Sequence, residues 1–196
     1  MKLKEYYKES FDILKNKKIL VLVMFSIYIL AFVSSAAYHI SKIQPNEKEA
    51  INPEKEKLKQ EAIKEYIKIR IFQESLDIFT HNTLASLIRI PTGLLLGAPP
   101  TYSVILSAYT TSGWLIKKVS SKGFLPILRY LPHVIIEAIA LTLSSVLGVM
   151  WFLSLLKKDR AKRLKQTIKN SIIIFLTIIL PLLLLSSILE TVSLLI

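Results

Sequence analysis

The chain has 196 residues, of which 52% are hydrophobic, yet it carries 26 Lys+Arg against 14 Asp+Glu for a formal net charge of +12. A soluble domain disperses its charges and a disordered basic chain is not half apolar, so a mean hydropathy of +0.48 points to segregation. With no cysteine there is no disulfide framework, thiolate nucleophile or Cys-ligated metal, and three separated histidines leave a metal enzyme short of ligands.

The first 18 residues form an amphipathic lead with six lysines and three acids, read as cytoplasmic. A charge-free run over 19–40 follows, about the 20 residues a helix needs to cross a ~30 Å hydrocarbon core. A cleaved signal peptide competes, because Ser35-Ala36-Ala37 resembles a cleavage site. The run and its charged lead are both long for that role, so a retained anchor is expected.

From 41 to 80 the composition flips to eight basic and eight acidic residues, with Pro45 and Pro53. After Pro53 the apolar residues Leu58, Ala62, Tyr66, Ile69, Phe72, Leu76 and Phe79 recur at roughly helical spacing. Glu54, Glu61 and Glu65 each precede a lysine by three residues (Lys57, Lys64 and Lys68). This predicts an amphipathic, extracytoplasmic helix over about 54–80.

The core bundle is expected over 81–196. Its first apolar stretch, 82–116, is too long for one span and is punctuated by Pro91, Gly93, Gly97, Pro99 and Pro100. Two short spans, about 83–97 and 101–116, are expected, hinged at Gly97-Ala98-Pro99-Pro100, because paired prolines break the helical ladder. Gly93 and Gly97 also form a GxxxG, a close-packing signal. A basic link with Lys117, Lys118, Lys122 and Arg129 leads to a span over 132–156, with Pro132 suited to the first turn. The segment 157–169 carries seven basic residues and one acid, and a final span is expected over 171–189.

Parity sets the topology. The lead and the 157–169 segment can both be cytoplasmic only if an even number of spans separates them, and two spans in 82–116 supply four. The expectation is therefore an all-α, polytopic transmembrane bundle of about five spans in the cell membrane, N-terminus cytoplasmic and C-terminus extracytoplasmic. Nine of the twelve net charges fall in the two cytoplasmic segments, while +4 on the 117–131 link runs against the rule. Lys157, Lys158, Arg160, Lys162, Arg163 and Lys165 are expected to touch anionic lipid headgroups rather than nucleic acid.

Two charges, Arg89 and Glu137, fall inside expected spans, seven and five residues from span starts at the outer face. At ~1.5 Å per residue both lie about 7–11 Å deep, which predicts an ion pair. His133 precedes Glu137 by one helical turn. Asn82, Arg89, Tyr109, His133 and Glu137 are the expected polar cluster, opening outward; such residues either fix helix register or line a conduit. His133-x-x-x-Glu137 could offer two metal ligands, but HExxH, G-x-S-x-G, the P-loop and the dinucleotide fingerprint do not occur, so neither catalysis nor a cofactor is expected.

The segments Asn82-Thr-Leu-Ala-Ser, Thr92-Gly93-Leu-Leu-Leu-Gly97-Ala-Pro-Pro and Leu131-Pro132-His133-Val-Ile-Ile-Glu137-Ala-Ile-Ala140, with Gly148, resemble the stage II sporulation protein M family of membrane proteins, best over 82–148. Val134 stands where that family usually has Gly, and Ala108-Tyr109 where it usually has Asn-Gly. The resemblance implies a membrane scaffold whose namesake works with peptidoglycan-degrading partners. The expected function is a non-enzymatic scaffold or partner of a membrane or envelope complex, as a homo-oligomer or with other membrane proteins. The alternative is a small transporter or permease-like subunit, suggested by the broken helices and the Arg89/His133/Glu137 cluster.

Overall fold

The computed structural model describes residues 3–43 and 53–195, and every regular element among them is helical. In chain order these are α1 (Leu3–Asn16), α2 (Lys18–Lys42), α3 (Pro53–Thr92), α4 (Ala98–Lys122), a 3-10 turn (Leu125–Arg129), α5 (Leu131–Leu155), α6 (Arg160–Ile174), a π turn (Phe175–Ile179) and α7 (Leu180–Leu195). Pro45 lies outside the described residues, as do the side chains of Glu54, Lys57, Lys64 and Lys68.

Helix α5 is the axis. It packs against α2, α3, α4, α6 and α7. Its middle, Ala140 to Gly148, is buried on every side. A helix surrounded in this way needs small side chains where neighbours approach, and Ala140, Ser144, Ser145 and Gly148 provide them. Leu147, Val146, Met24, Ile174, Ile179 and Leu183 fill the space between the helices.

Among the described residues, three helices are long and apolar enough to cross a membrane: α2, α5 and the continuous stretch Arg160–Leu194. The two short spans expected over 83–97 and 101–116 are not among them. The first is the end of the much longer α3, and α4 dilutes its apolar residues with Thr, Ser and Pro.

The amphipathic helix expected over about 54–80 leads directly into the next apolar stretch. α3 runs 40 residues through both, bending at Arg70, where φ is −116° and ψ 18°. The turn precedes the expected Gly97-Ala98-Pro99-Pro100 hinge, whose prolines instead open a helix. α3 stops at Thr92, Gly93–Gly97 turn the chain, and α4 starts at Ala98 with proline in its first turn. Leu96 and Gly97 are both left-handed, at φ 58° and 67°.

The basic segments are more helical than their composition suggests. α4 continues through Lys117 and Lys118, and Arg129 sits on the 3-10 turn. Lys118 lies over the Trp114 ring (5.5 Å) and the Tyr130 ring (5.8 Å), and Arg129 over Tyr130 (5.9 Å). Two cations of this link, Lys118 and Arg129, thus rest on aromatic faces. The expected 157–169 loop shrinks to a tight turn ending at Asp159 (φ 59°), and α6 takes the rest. Within the last helix, Pro181 has no N–H to offer the carbonyl of Thr177. The ladder widens there, with the Leu180 N–H donating to the Phe175 carbonyl five residues back.

Candidate functional site

Helix α3 delivers the first polar groups. From Asn82 to its end it lies along α5 in the same direction: the Arg89 side chain reaches the Leu141 carbonyl, and Gly93, just past the helix, meets Gly148. A Cβ on Gly93 would lie 1.9 Å from the Gly148 carbonyl oxygen, so the two backbones touch. The close-packing glycine therefore works within the chain. Gly97 serves the turn instead, with Phe152 over it.

The expected Arg89–Glu137 ion pair does not form. Arg89 donates from Nη2 to Ser107 Oγ (2.8 Å) and from Nη1 to the Leu141 carbonyl (3.4 Å). Its guanidinium bridges α4 and α5. Glu137 stays within electrostatic reach of it without contact. The cause is geometric. The long Arg89 side chain, on a helix pressed against α5 by paired glycines, meets a carbonyl and a hydroxyl at once.

Glu137 also lies within electrostatic range of a second acidic side chain that composition alone did not pair with it, Glu190 on α7. α5 and α7 run in opposite directions, since Ser186 Oγ donates to the His133 carbonyl (3.1 Å) while Trp151 Nε1 donates to Ser171 Oγ (2.9 Å). Helical side chains lean toward their own N-terminus. Glu137 therefore leans toward the His133 level from one side and Glu190 toward the Ser186 level from the other. His133 is 4% exposed and Asn82 8%. His133 Nδ1, Thr83 Oγ1 and Ser86 Oγ are buried without a hydrogen-bond partner among the described residues.

Tyr109 does not join this group. Its ring packs on His39 (5.1 Å) and Tyr38 (6.5 Å) of α2. Its carbonyl accepts from Ser35 (3.3 Å) and Ser112 (3.0 Å), whose hydroxyls are themselves 2.7 Å apart. His39 lies against Gly113, where an added Cβ would sit 2.6 Å from Nε2. Sequence reasoning missed Ser107, Ser186 and His39 as partners. Serines in an apolar run read as small spacers, and nothing in spacing tells which carbonyl they face. Ser186-Ser187 with Glu190 and Thr191 in one apolar helix was the available signal.

Among the described residues, no three His, Asp or Glu side chains are grouped to hold a metal ion. Hydroxyls bonded to backbone and one arginine shared between two helices can lock a bundle's register. The class so defined is an all-helical membrane protein with a polar seam between its central helices. The family model for stage II sporulation protein M matches residues 19–193, and the chain belongs to that family. No curated protein and no solved structure matches it.

Proposed function

We propose that the protein is a non-enzymatic scaffold that docks other membrane or envelope proteins through the first half of α3. The observation that carries this reading is an uncovered apolar face. Leu58, Ile69 and Phe72 are 62%, 77% and 75% exposed and fall on one side of the helix, with Leu76 next along it. Arg70 stacks on Tyr66 (5.5 Å) beside that stripe. An amphipathic helix with its apolar side unpaired is a groove-binding element waiting for a partner surface.

The five-span arrangement, N-terminus inside and C-terminus outside, belongs to the same proposal. Supporting it are the helix directions. α2 and α4 run together, through Ser35 with Ser112 and His39 with Gly113. The end of α3 and α5 run together the other way, and α7 opposes α5.

Because the chain has no cysteine, single Lys8→Cys, Ser120→Cys and Lys158→Cys variants report topology directly. An impermeant maleimide should reach only position 120 in intact cells; equal labelling of 120 and 158 would reject the topology. For the scaffold, photo-crosslinkers at Ile69 and Phe72 should give discrete protein adducts in native membranes, with a lipid-facing control at Ile29 giving lipid. Lipid adducts alone at all three positions would reject docking.

A further inference from the structure

We infer that the cavity between α1, the end of α5 and the start of α6 binds the phosphate of an anionic phospholipid, with an acyl chain on its apolar wall. The cavity has a volume of about 590 Å³, in the range of ligand pockets. Three cations from three parts of the chain line it: Lys17 after α1, Lys157 after α5 and Arg163 on α6. Among the described residues, no carboxylate lines it. Converging positive charge without a counter-charge favours an anion.

The site is held in shape by backbone bonds. Asp159, in its left-handed conformation, reverses the chain within a few residues of α5, and its carbonyl accepts the Arg163 N–H (3.0 Å). Arg163 Nε donates to the Lys158 carbonyl (3.1 Å). That bond fixes the guanidinium plane, while its two terminal nitrogens have no hydrogen bond among the described residues. A guanidinium anchored by one edge presents the other as a fork matched to phosphate oxygens. Gln166 donates to Asn170 (2.8 Å), which leaves the Asn170 amide N–H groups on the cavity wall for a further oxygen.

The remaining lining selects lipid over free phosphate. Ile13, Met150 and Leu153 line the same cavity as the cations and give it an apolar side. An inorganic ion would gain nothing from it, whereas an acyl chain would bury it. Lys17 and Leu153 also line a second groove, continuing past Lys18 along the start of α2. The cavity lies at the end of α5 near Trp151, an interfacial residue type. Of the six basic residues expected to touch headgroups, only Lys157 and Arg163 line it; Lys158, Arg160, Lys162 and Lys165 are exposed outside it.

The test is native mass spectrometry of the purified full chain with phosphatidylglycerol or phosphatidylcholine. The expected result is retention of phosphatidylglycerol, weakened about tenfold or more in Lys157→Gln/Arg163→Gln and unchanged in the equally discharged Lys8→Gln/Lys169→Gln. Equal loss in both pairs, or equal retention of phosphatidylcholine, would overturn the site. Displacement of the lipid by inorganic phosphate at matched concentration would overturn its assignment to lipid. Should the first pair fail to fold, lysine labelling of the unaltered protein decides. Phosphatidylglycerol should protect Lys17 and Lys157 over Lys8, and uniform protection would reject the proposal.

Discussion

Gly93, directly after α3, and Gly148 of α5 meet backbone to backbone, so closely that neither position has room for a methyl group. Gly148 is closed from a second side by Pro100, whose Cγ would lie 2.8 Å from an added Cβ. This one contact sets how near α3 can come to the central helix, and so what Arg89 can reach. Gly93→Ala and Gly148→Ala should each cost about 1–3 kcal/mol, the range for overpacking a tight contact. Their double variant should cost less than the sum, because the first separation makes room for the second methyl. Heating in detergent followed by size-exclusion chromatography reads all three; an unchanged melting point for Gly93→Ala would refute the contact.

Gly113 makes a different kind of room, for the His39 imidazole rather than for backbone. Gly113→Ala should lower the melting temperature in the natural background and have little effect in a His39→Ala background. The cost then belongs to the ring. A double-mutant cycle measures it, and additivity would show that α2 and α4 do not meet there.

Arg89 bonds Ser107 and the Leu141 carbonyl, not Glu137. Ser107→Ala should therefore cost about 1.5–3 kcal/mol, as for a hydrogen bond to a charged group. Arg89→Leu should cost more, because it removes both bonds and the cation within electrostatic reach of Glu137. The exchange Arg89→Glu/Glu137→Arg should not restore stability, since it recreates neither bond. Full rescue in a thermal melt would reinstate a direct ion pair.

Ser10 is fully buried and lies 2.7 Å from Thr177 Oγ1. The Thr177 proton goes to the Ile173 carbonyl (2.7 Å), so Ser10 is the donor. Ser10→Val should loosen α1 by about 1 kcal/mol, and Ser10→Arg should expel it from its seat against the π turn. Limited proteolysis should then cut within α1 while the rest of the bundle resists. Unchanged protection of α1 in Ser10→Arg would place this helix away from the bundle.

The segment boundaries were legible where a local chemical rule sets them. The charge-free 19–40 run became α2, the 132–156 run became α5, and of the Gly97-Ala98-Pro99-Pro100 hinge Gly97 closes the turn while the prolines open α4. In each case the cause lies within a few neighbouring residues: a missing N–H, a left-handed glycine, or enough apolar side chains in a row. The helix expected over about 54–80 continues into the next apolar stretch as one element, α3. A change from charged to apolar composition looks like an element boundary, yet nothing near residue 80 stops a helix.

The partners of the polar residues were another matter. That Arg89, His133 and Glu137 sit in apolar surroundings follows from composition, and so does their need for partners. Which partner each finds depends on helix direction and separation, set in turn by the Gly93–Gly148 contact and the Ser186–His133 bond between distant segments. The +12 charge divides in the same way. Its placement in the N-terminal lead and the 157–169 segment is written in the chain. That Lys17, Lys157 and Arg163 line one cavity while Lys118 rests on Trp114 and Tyr130 was decided by the folded packing. Periodicity acts along one helix, and only the packing of several determines which faces meet.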